Sequence, residues 1–309
     1  TLSLHDALPI LEQGIFSGLF WATDTVLIHN VSIDNSTITI LPVLIACLHD
    51  FISVLIISII LLLTTKIRYL IKDIKSKGSK YIALAAILGG PIGLTAYIIA
   101  IHYLGTYFAC VITSLYPAIG TLLARVFINE RRNLFQWLAL MISIISVMAL
   151  GFEYDGVIEN IWIGLGAAII CTLSWGSEAV ICSWTLSKYN LKDTSALWIR
   201  QTSAAFIGLS IITLIMMVEP FNYNDISFLS HRVNLLCMAA ICGALSYFFY
   251  YSAIHKIGAS RAMAVNSSYS GFAILINYFM WNIIPTLEEL ILGVLIVGGG
   301  IISAYDYKK

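Results

Sequence analysis

With 59% hydrophobic residues among 309 and only 11% charged, against roughly 25% charged in soluble domains, the chain is not an ordinary soluble globule. Its mean hydropathy of +0.90 points to a polytopic membrane protein. Seventeen basic and seventeen acidic residues cancel to a formal net charge of zero, which says little by itself; the asymmetry of charge across the membrane is the informative quantity, and no nucleic-acid partner is expected.

The opening TLSLHDALPI lacks a starting Met and resembles adapter-derived sequence, so residues 1–10 are read as a non-native leader. Apolar runs follow at about 11–31, 40–63, 81–102, 105–128, 134–152, 160–185, 194–218, 233–254, 260–281 and 287–306. Each is near the 20 residues that a bilayer core demands. Runs this continuous must be helices, because a helix satisfies its own backbone polar groups where lipid offers no partner. No short apolar segment with a small-residue cleavage site precedes the first span, which is therefore expected to act as the insertion signal.

Charge fixes the expected orientation. Lys66, Arg68, Lys72, Lys75, Lys77 and Lys80 follow the second span, and Arg125, Arg131 and Arg132 surround the end of the fourth. Lys188 and Lys192 follow the sixth, Lys256 and Arg261 the eighth, and Lys308 and Lys309 the tenth. The other connections carry Asp34, Glu153, Asp155, Glu159, Glu219, Asp225, Glu288 and Glu289, with Arg232 as their cation. Basic residues stay cytoplasmic, so both termini are expected inside the cell (inner or plasma) membrane. Six cysteines, Cys47, Cys110, Cys171, Cys182, Cys237 and Cys242, fall within spans without a CxxC pair, which argues against a disulfide framework.

The chain repeats itself. Residues 97–120 (YIIAIHYLGTYFACVITSLYPAIG) align without gaps on residues 250–273 (YYSAIHKIGASRAMAVNSSYSGFA), sharing Tyr, Ala, Ile, His, Gly, Ala, Ser and Tyr. FWATDTV from Phe20 likewise meets SWGSEAV from Ser174, pairing Trp21 with Trp175 and Asp24 with Glu178. A duplication with an odd number of spans per half, 11–152 and 160–306, inserts its halves in opposite senses. Inverted repeats of this kind place a site at the interface of the halves near mid-membrane and expose it to alternate sides.

These segments, with LGGPIGLTAYIIAIHYLG from Leu88 and SLYPAIGTLLARVFINE from Ser114 to Glu130, resemble the drug/metabolite transporter superfamily and its ten-helix EamA-type branch. The resemblance covers nearly everything after residue 10. It implies an all-α protein of ten transmembrane helices in two inverted five-helix repeats, and export or exchange of small metabolites. It implies no substrate. The family commonly has a neutral residue near Asp24 and often Arg near Asp50, whereas this chain has acids at both positions.

A charge at mid-span costs about 2.5–3.5 kcal/mol on insertion scales, so each one retained needs a partner, water or a task. Asp24 with His49 and Asp50 is expected toward the outer side, and Glu178 with Arg200 at the pseudo-equivalent inner depth. The acidic group can serve as a proton or cation coupling site, since neighbouring carboxylates raise one another's pKa. Alternatively, Asp24 bonds a neighbouring helix and Asp50 faces water. Glu178 and Arg200 suit a structural or gating ion pair, with carboxylate binding by the Arg200 fork as the other reading.

Trp21 with Trp175, Tyr97 with Tyr250 and Tyr116 with Tyr269 occupy equivalent repeat positions, and with Tyr247 they are the expected cavity walls. An aromatic wall with few fixed charges suits amphipathic solutes or amino acids better than sugar phosphates. Pro91, flanked by Gly89, Gly90 and Gly93, marks Leu88–Tyr97 as the expected hinge, and Pro42 and Pro117 also lie within spans. The run Gly298, Gly299, Gly300 allows tight helix contact, including with a second subunit as a homodimer. His102 and His255 are expected to be interfacial hydrogen-bonding residues rather than metal ligands. No HExxH, GxSxG or P-loop occurs, so no catalytic residue, metal or cofactor is assigned. The competing readings are facilitative import, a receptor or scaffold, and an intramembrane enzyme built on His49 and Asp50.

Overall fold

Every regular element among the described residues is helical. The computed structural model describes residues 4–32, 41–64, 67–150, 160–218 and 223–305, with side chains for all of these except 4–11, 29, 32, 41, 42, 105–108, 110, 218 and 223–230. Asp34, Lys66, Glu153, Asp155, Glu159, Glu219, Lys308 and Lys309, and the side chains of Pro42, Cys110 and Asp225, lie outside the described residues.

The elements are α1 (Leu4–Ser32), α2 (Leu41–Leu63), α3 (Ile67–Ile74), α4 (Gly78–Ile87), a π-helical turn (Leu88–Leu94), α5 (Thr95–Thr113), α6 (Tyr116–Phe127) and α7 (Leu134–Leu150). They continue with α8 (Ile161–Tyr189), α9 (Asp193–Val218), α10 (Tyr223–Ile257), α11 (Ala259–Asn266), α12 (Tyr269–Trp281) and α13 (Leu287–Ala304). Six described helices are long and apolar enough to cross a membrane: Val43–Leu63, Gly78–Leu104, Ile161–Tyr189, Asp193–Met217, His231–Ile257 and Leu287–Ala304. Val111–Phe127 and Leu134–Leu150 are shorter apolar helices.

Local chemistry sets the helix limits. The Asn160 side chain accepts from the Trp162 and Ile163 amides and starts α8; Asn190, left-handed at φ 48°, ends it. Asn282 ends α12 in the same conformation, and Thr286 with Glu289 forms a reciprocal capping box that starts α13. The sequence places a span boundary near residues 102–105, but the α5 backbone stays helical to Thr113 and the break falls at Ser114–Leu115. There the hydroxyls of Thr113 and Ser114 donate to the Ala109 and Val111 carbonyls, and Pro117 sits in the first turn of α6, where its missing N–H costs nothing. Ser267 and Ser268 break α11 from α12 at the matching repeat positions, donating to the Ala264 and Val265 carbonyls.

The bundle is apolar outside and buries a small set of charged and polar side chains among a largely apolar core. Leu63, Phe206, Met217, Phe279, Ile284 and Leu287 are exposed, whereas Asp24, His49, Asp50, Glu178, Arg200 and Gln201 are buried. An exposed surface this rich in large apolar side chains departs from that of a soluble protein and fits a hydrocarbon solvent. α1 packs along α10, and α8 packs along α4, the π turn and α5; α2 pairs with α9 and α7 with α13. α1 also meets α11 and α12, as α8 meets α6.

Small residues close these contacts. A Cβ at Gly14 would stand 2.8 Å from Val265, and one at Gly18 3.0 Å from Ser268, so that spacing serves packing of α1 on α11 and α12. Gly299 and Gly300 face the Ala139 and Ala264 carbonyls, while Gly298 has open space beside it. Two of these three glycines are therefore used within the chain.

A polar latch joins the α6–α7 connection to α11 and α13. Glu130 accepts from the amides of Ala259 and Ser260 at 2.9 and 3.0 Å and from the Ser260 hydroxyl at 2.6 Å, capping the start of α11. Gly258 precedes that helix at φ +84°, and any Cβ there would strike the Glu130 carboxylate. Arg132 donates to Ser260 and to the carbonyl and hydroxyl of Ser303, and Gln136 donates to the Tyr305 carbonyl. Burial, with the nearby Arg261, pulls the Arg132 guanidinium down to about 10, opposed by Glu130.

Candidate functional site

The two charged groups read separately from the sequence form one chain of contacts in the structure. α1 carries Asp24, α2 carries His49 and Asp50, α8 carries Glu178, and α9 carries Arg200. The His49 Nε2 atom lies 3.3 Å from Asp24 Oδ1, and its Nδ1 atom lies 3.9 Å from Asp50 Oδ1. Asp50 Oδ1 is 3.2 Å from Arg200 Nη1, and Arg200 Nε donates to Glu178 Oε1 at 2.8 Å. The expected split into an outer acidic and an inner neutralised cluster is therefore corrected: Arg200 reaches both Glu178 and Asp50.

Arg200 is the organising residue. It is 1% exposed, the largest of the fully buried side chains. Beyond the two carboxylates it donates through Nη1 to the Gln201 amide oxygen and through Nη2 to the Tyr247 hydroxyl at 2.8 Å, with its guanidinium carbon 4.3 Å from the centre of that ring. Four directed contacts and a ring face are more than a lysine ammonium could match from one point. The fork is occupied by the protein itself, which disfavours its use for a solute carboxylate. The other end of the chain is looser: Asp24 Oδ1 and both His49 ring nitrogens are buried without a well-aligned hydrogen bond. The 3.3 Å contact to Asp24 is close but off the hydrogen-bond direction, and the 3.9 Å contact to Asp50 is too long for a hydrogen bond.

Backbone without side chains makes room for the charges. A Cβ on Gly89 would sit 1.7 Å from Glu178 Oε2, one on Gly90 3.1 Å from Asp50 Oδ2, and one on Gly243 2.4 Å from His49 Nε2. Gly89 and Gly90 lie in the π turn around Pro91, a widened helical turn within the segment expected to hinge. Trp175 Nε1 donates to the Gly89 carbonyl at 3.2 Å, so the indole uses a π-turn carbonyl as its polar partner.

Beside this network lies a cleft lined by Trp21, Tyr116, Trp175, Glu178, Ser246, Tyr247, Tyr250 and Asn266. Its volume is about 30 Å³, enough for about two waters, so the walls are drawn together in this conformation. Trp21 meets Trp175 and Tyr247 edge-on at 6.1 and 5.5 Å, and Tyr116 meets Trp175 edge-on at 5.9 Å. Of the paired aromatics, Trp21 and Trp175 both line the cleft, but the other pairs contribute one member each, Tyr250 and Tyr116. Tyr97 stands behind Trp175, 5.2 Å between ring centres, and Tyr269 is buried at the start of α12 away from the cleft. Repeat-equivalent positions thus do different work in the two halves.

Several wall and network residues carry little signal in the sequence. Asn266 donates to the Tyr116 hydroxyl at 3.0 Å and accepts from Ser17 at 2.7 Å, and the Ser246 hydroxyl donates to the Ser17 carbonyl at 2.9 Å. Asn266 lies inside the repeated segment as an amide in an apolar run, which was a usable signal. Gln201 had only its place beside Arg200 to mark it. Tyr251, with its hydroxyl 3.1 Å from the Cys182 sulfur, had none. Cys47, Cys171, Cys182, Cys237 and Cys242 are free, and no group of three or more His, Cys, Asp or Glu among the described residues could hold a metal ion.

Protein LicB of Haemophilus influenzae (strain ATCC 51907 / DSM 11121 / KW20 / Rd) is 32% identical over 298 residues, covering 96% of this chain and 97% of the relative. A solved crystal structure shares the fold at 15% identity, with a TM-score of 0.70 over 95% of this chain and 96% of the other. The profile of the EamA-like transporter family matches twice, over residues 12–152 and 162–305. The chain therefore belongs to the EamA-like transporter family and is a multi-pass membrane protein.

Proposed function

We propose that this protein is a secondary transporter that moves a small organic cation by alternating access through the aromatic cleft. One observation carries the substrate class: a cleft walled by five aromatic rings stands against a buried network with more negative than positive groups. Asp24, Asp50 and Glu178 are opposed by Arg200 and, when protonated, His49. The excess carboxylate favours a cation, and ring faces bind one at about 0.5–2 kcal/mol each without the cost of desolvating a further anion. A zwitterionic amino acid is disfavoured, because the Arg200 fork that would take its carboxylate is already filled.

The ten-helix, inverted-repeat reading rests on several supports. The same family profile fits each half, the helix breaks at Ser114–Leu115 and Ser267–Ser268 match, and the packing interchanges when the halves are swapped. The pairing of α1 with α10 becomes that of α8 with α4 and α5, while α2 with α9 and α7 with α13 map onto themselves. The placement of Lys and Arg supports cytoplasmic termini in the cell membrane. The π turn is the element best suited to act as the hinge, since it touches Glu178, Asp50 and Trp175 at once. The proton-coupling role falls more naturally to Asp24 with His49 than to Asp50, which is tied to Arg200.

Counterflow in proteoliposomes, with labelled organic cations and their uncharged isosteres and an imposed pH gradient, tests the reading. The wild type is expected to exchange a cation and ignore its neutral isostere. Trp21→Leu weakens half-saturation about 5- to 30-fold, the equivalent of about 1–2 kcal/mol, while Trp21→Phe keeps most of the affinity. Asp24→Asn keeps exchange but loses the response to the pH gradient. Equal exchange of charged and neutral forms would overturn the substrate class, and an unchanged gradient response in Asp24→Asn would overturn the coupling role.

A further inference from the structure

The short helix α3 has three faces with different chemistry. Leu70 and Asp73 are buried, and Asp73 Oδ2 accepts from the Lys192 amide at 3.2 Å, fixing the helix to the start of α9. Ile67, Ile71 and Ile74 recur at i, i+4 and i+7 and are exposed as an apolar stripe. Arg68, Lys72 and Lys75 recur at the same spacing one residue on and are exposed as a basic stripe. A helix of this kind lies in the membrane interface, with its apolar stripe among acyl chains and its cations at headgroup level.

A groove opens on the lipid-facing side of α4 and α9, the two helices against which α3 packs. It has a volume of about 430 Å³, walls that include Leu84, Ile87, Phe206 and Ile207, and Lys80 at the basic end. Lys77 and Lys80 are exposed one turn apart where α4 begins. Among the described residues no ion pair is formed by Lys77 or Lys80, and the acids nearest in sequence are engaged in local backbone contacts. Asp73 is the lone acid from residue 67 to 104 and is buried, and Asp193 Oδ1 accepts from the Thr194 amide.

We infer that the α4–α9 groove with α3 is a binding site for one anionic phospholipid, an acyl chain lying along Leu84, Ile87, Phe206 and Ile207 and the phosphate meeting Lys80 and Lys77. The apolar channel and the cations at one end of it match the two parts of such a lipid, and a zwitterionic lipid would leave the excess positive charge unanswered. The site lies outside the aromatic cleft and does not depend on what the cleft carries. Bound there, the lipid would tie α4, and so the π turn that follows it, to α9 and its Arg200.

The test uses the full chain in nanodiscs of phosphatidylcholine doped with either phosphatidylglycerol or phosphatidylcholine bearing a diazirine on the acyl chain, with crosslinks mapped by mass spectrometry. Phosphatidylglycerol is expected to label α4 and α9 near Leu84 and Phe206 at least fivefold more than phosphatidylcholine. Lys80→Glu, which removes a cation and adds an anion, lowers that labelling at least 5-fold, since about 1 kcal/mol per cation at an anionic surface gives about 5-fold for the lost cation alone, and Arg125→Glu leaves it unchanged. Leu84→Trp, which fills the groove without touching charge, lowers it as well. Equal labelling by the two lipids, indifference to Lys80→Glu, or displacement by millimolar glycerol phosphate would overturn the lipid site. Transport is not the readout, so failure here is distinct from failure of the substrate assignment.

Discussion

Arg200→Ala is expected to lower stability by about 3–5 kcal/mol, the range for removing one partner of a buried ion pair. Glu178 and Asp50 would be left as buried carboxylates without their shared cation, and Tyr247 and Gln201 would lose a donor. Arg200→Lys should recover only part of this, because one ammonium cannot reach four acceptors held by a planar fork. The charge swap Glu178→Arg with Arg200→Glu is informative for the same reason. In an isolated pair the swap would restore the contact; here a carboxylate placed at position 200 would confront Asp50, so the double variant should regain only part of the stability that Arg200→Glu loses. Thermal denaturation monitored by size-exclusion chromatography in detergent checks both results. Full recovery by the swap would show that Asp50 does not share the guanidinium.

Gly89→Ala carries the second large effect. A methyl group there would overlap the Glu178 carboxylate at 1.7 Å, and the backbone that carries it is held by the Trp175 indole. Relief requires Glu178 to leave Arg200 or the π turn to move, and overpacking of this kind costs about 1–3 kcal/mol or more. Transport is expected to fall at least 10-fold even where folded protein is recovered, because both relaxations disturb the cleft wall. Gly298→Ala is the matched control: no atom lies within 4 Å of its added methyl, and alanine is the better helix former. It should be neutral or slightly stabilising in the same proteoliposome assay. Similar losses for both substitutions would mean that helix flexibility, rather than space beside Glu178, makes Gly89 necessary.

Much of the architecture was legible because membrane folding leaves large signals. Continuous apolar runs, basic connections and a residue-by-residue internal match pointed to helices, and the five charged or imidazole-bearing residues at mid-span stood out by cost alone. Their joining was not legible. Asp50 and Arg200 are far apart in sequence, and depth estimated from span ends has an error of several residues, enough to separate groups that lie 3.2 Å apart. The break at Ser114–Leu115 was hidden because Gly105 offers a stronger turn signal than serine hydroxyls that satisfy carbonyls locally. Tyr97 and Tyr269 show the limit of symmetry: a duplication fixes which positions correspond, not which of the two faces the cleft.

Ser246 provides the most direct measurement of the central claim, that a cleft between the two halves opens alternately to each side. Its hydroxyl lies in the cleft wall and is buried in the drawn-together conformation. In a transport-active Ser246→Cys variant with Cys47, Cys110, Cys171, Cys182, Cys237 and Cys242 replaced, a membrane-impermeant maleimide is applied to right-side-out and to inside-out vesicles. Alternating access predicts labelling from both faces, each slowed by a transported cation. Labelling confined to one face while transport persists would contradict it.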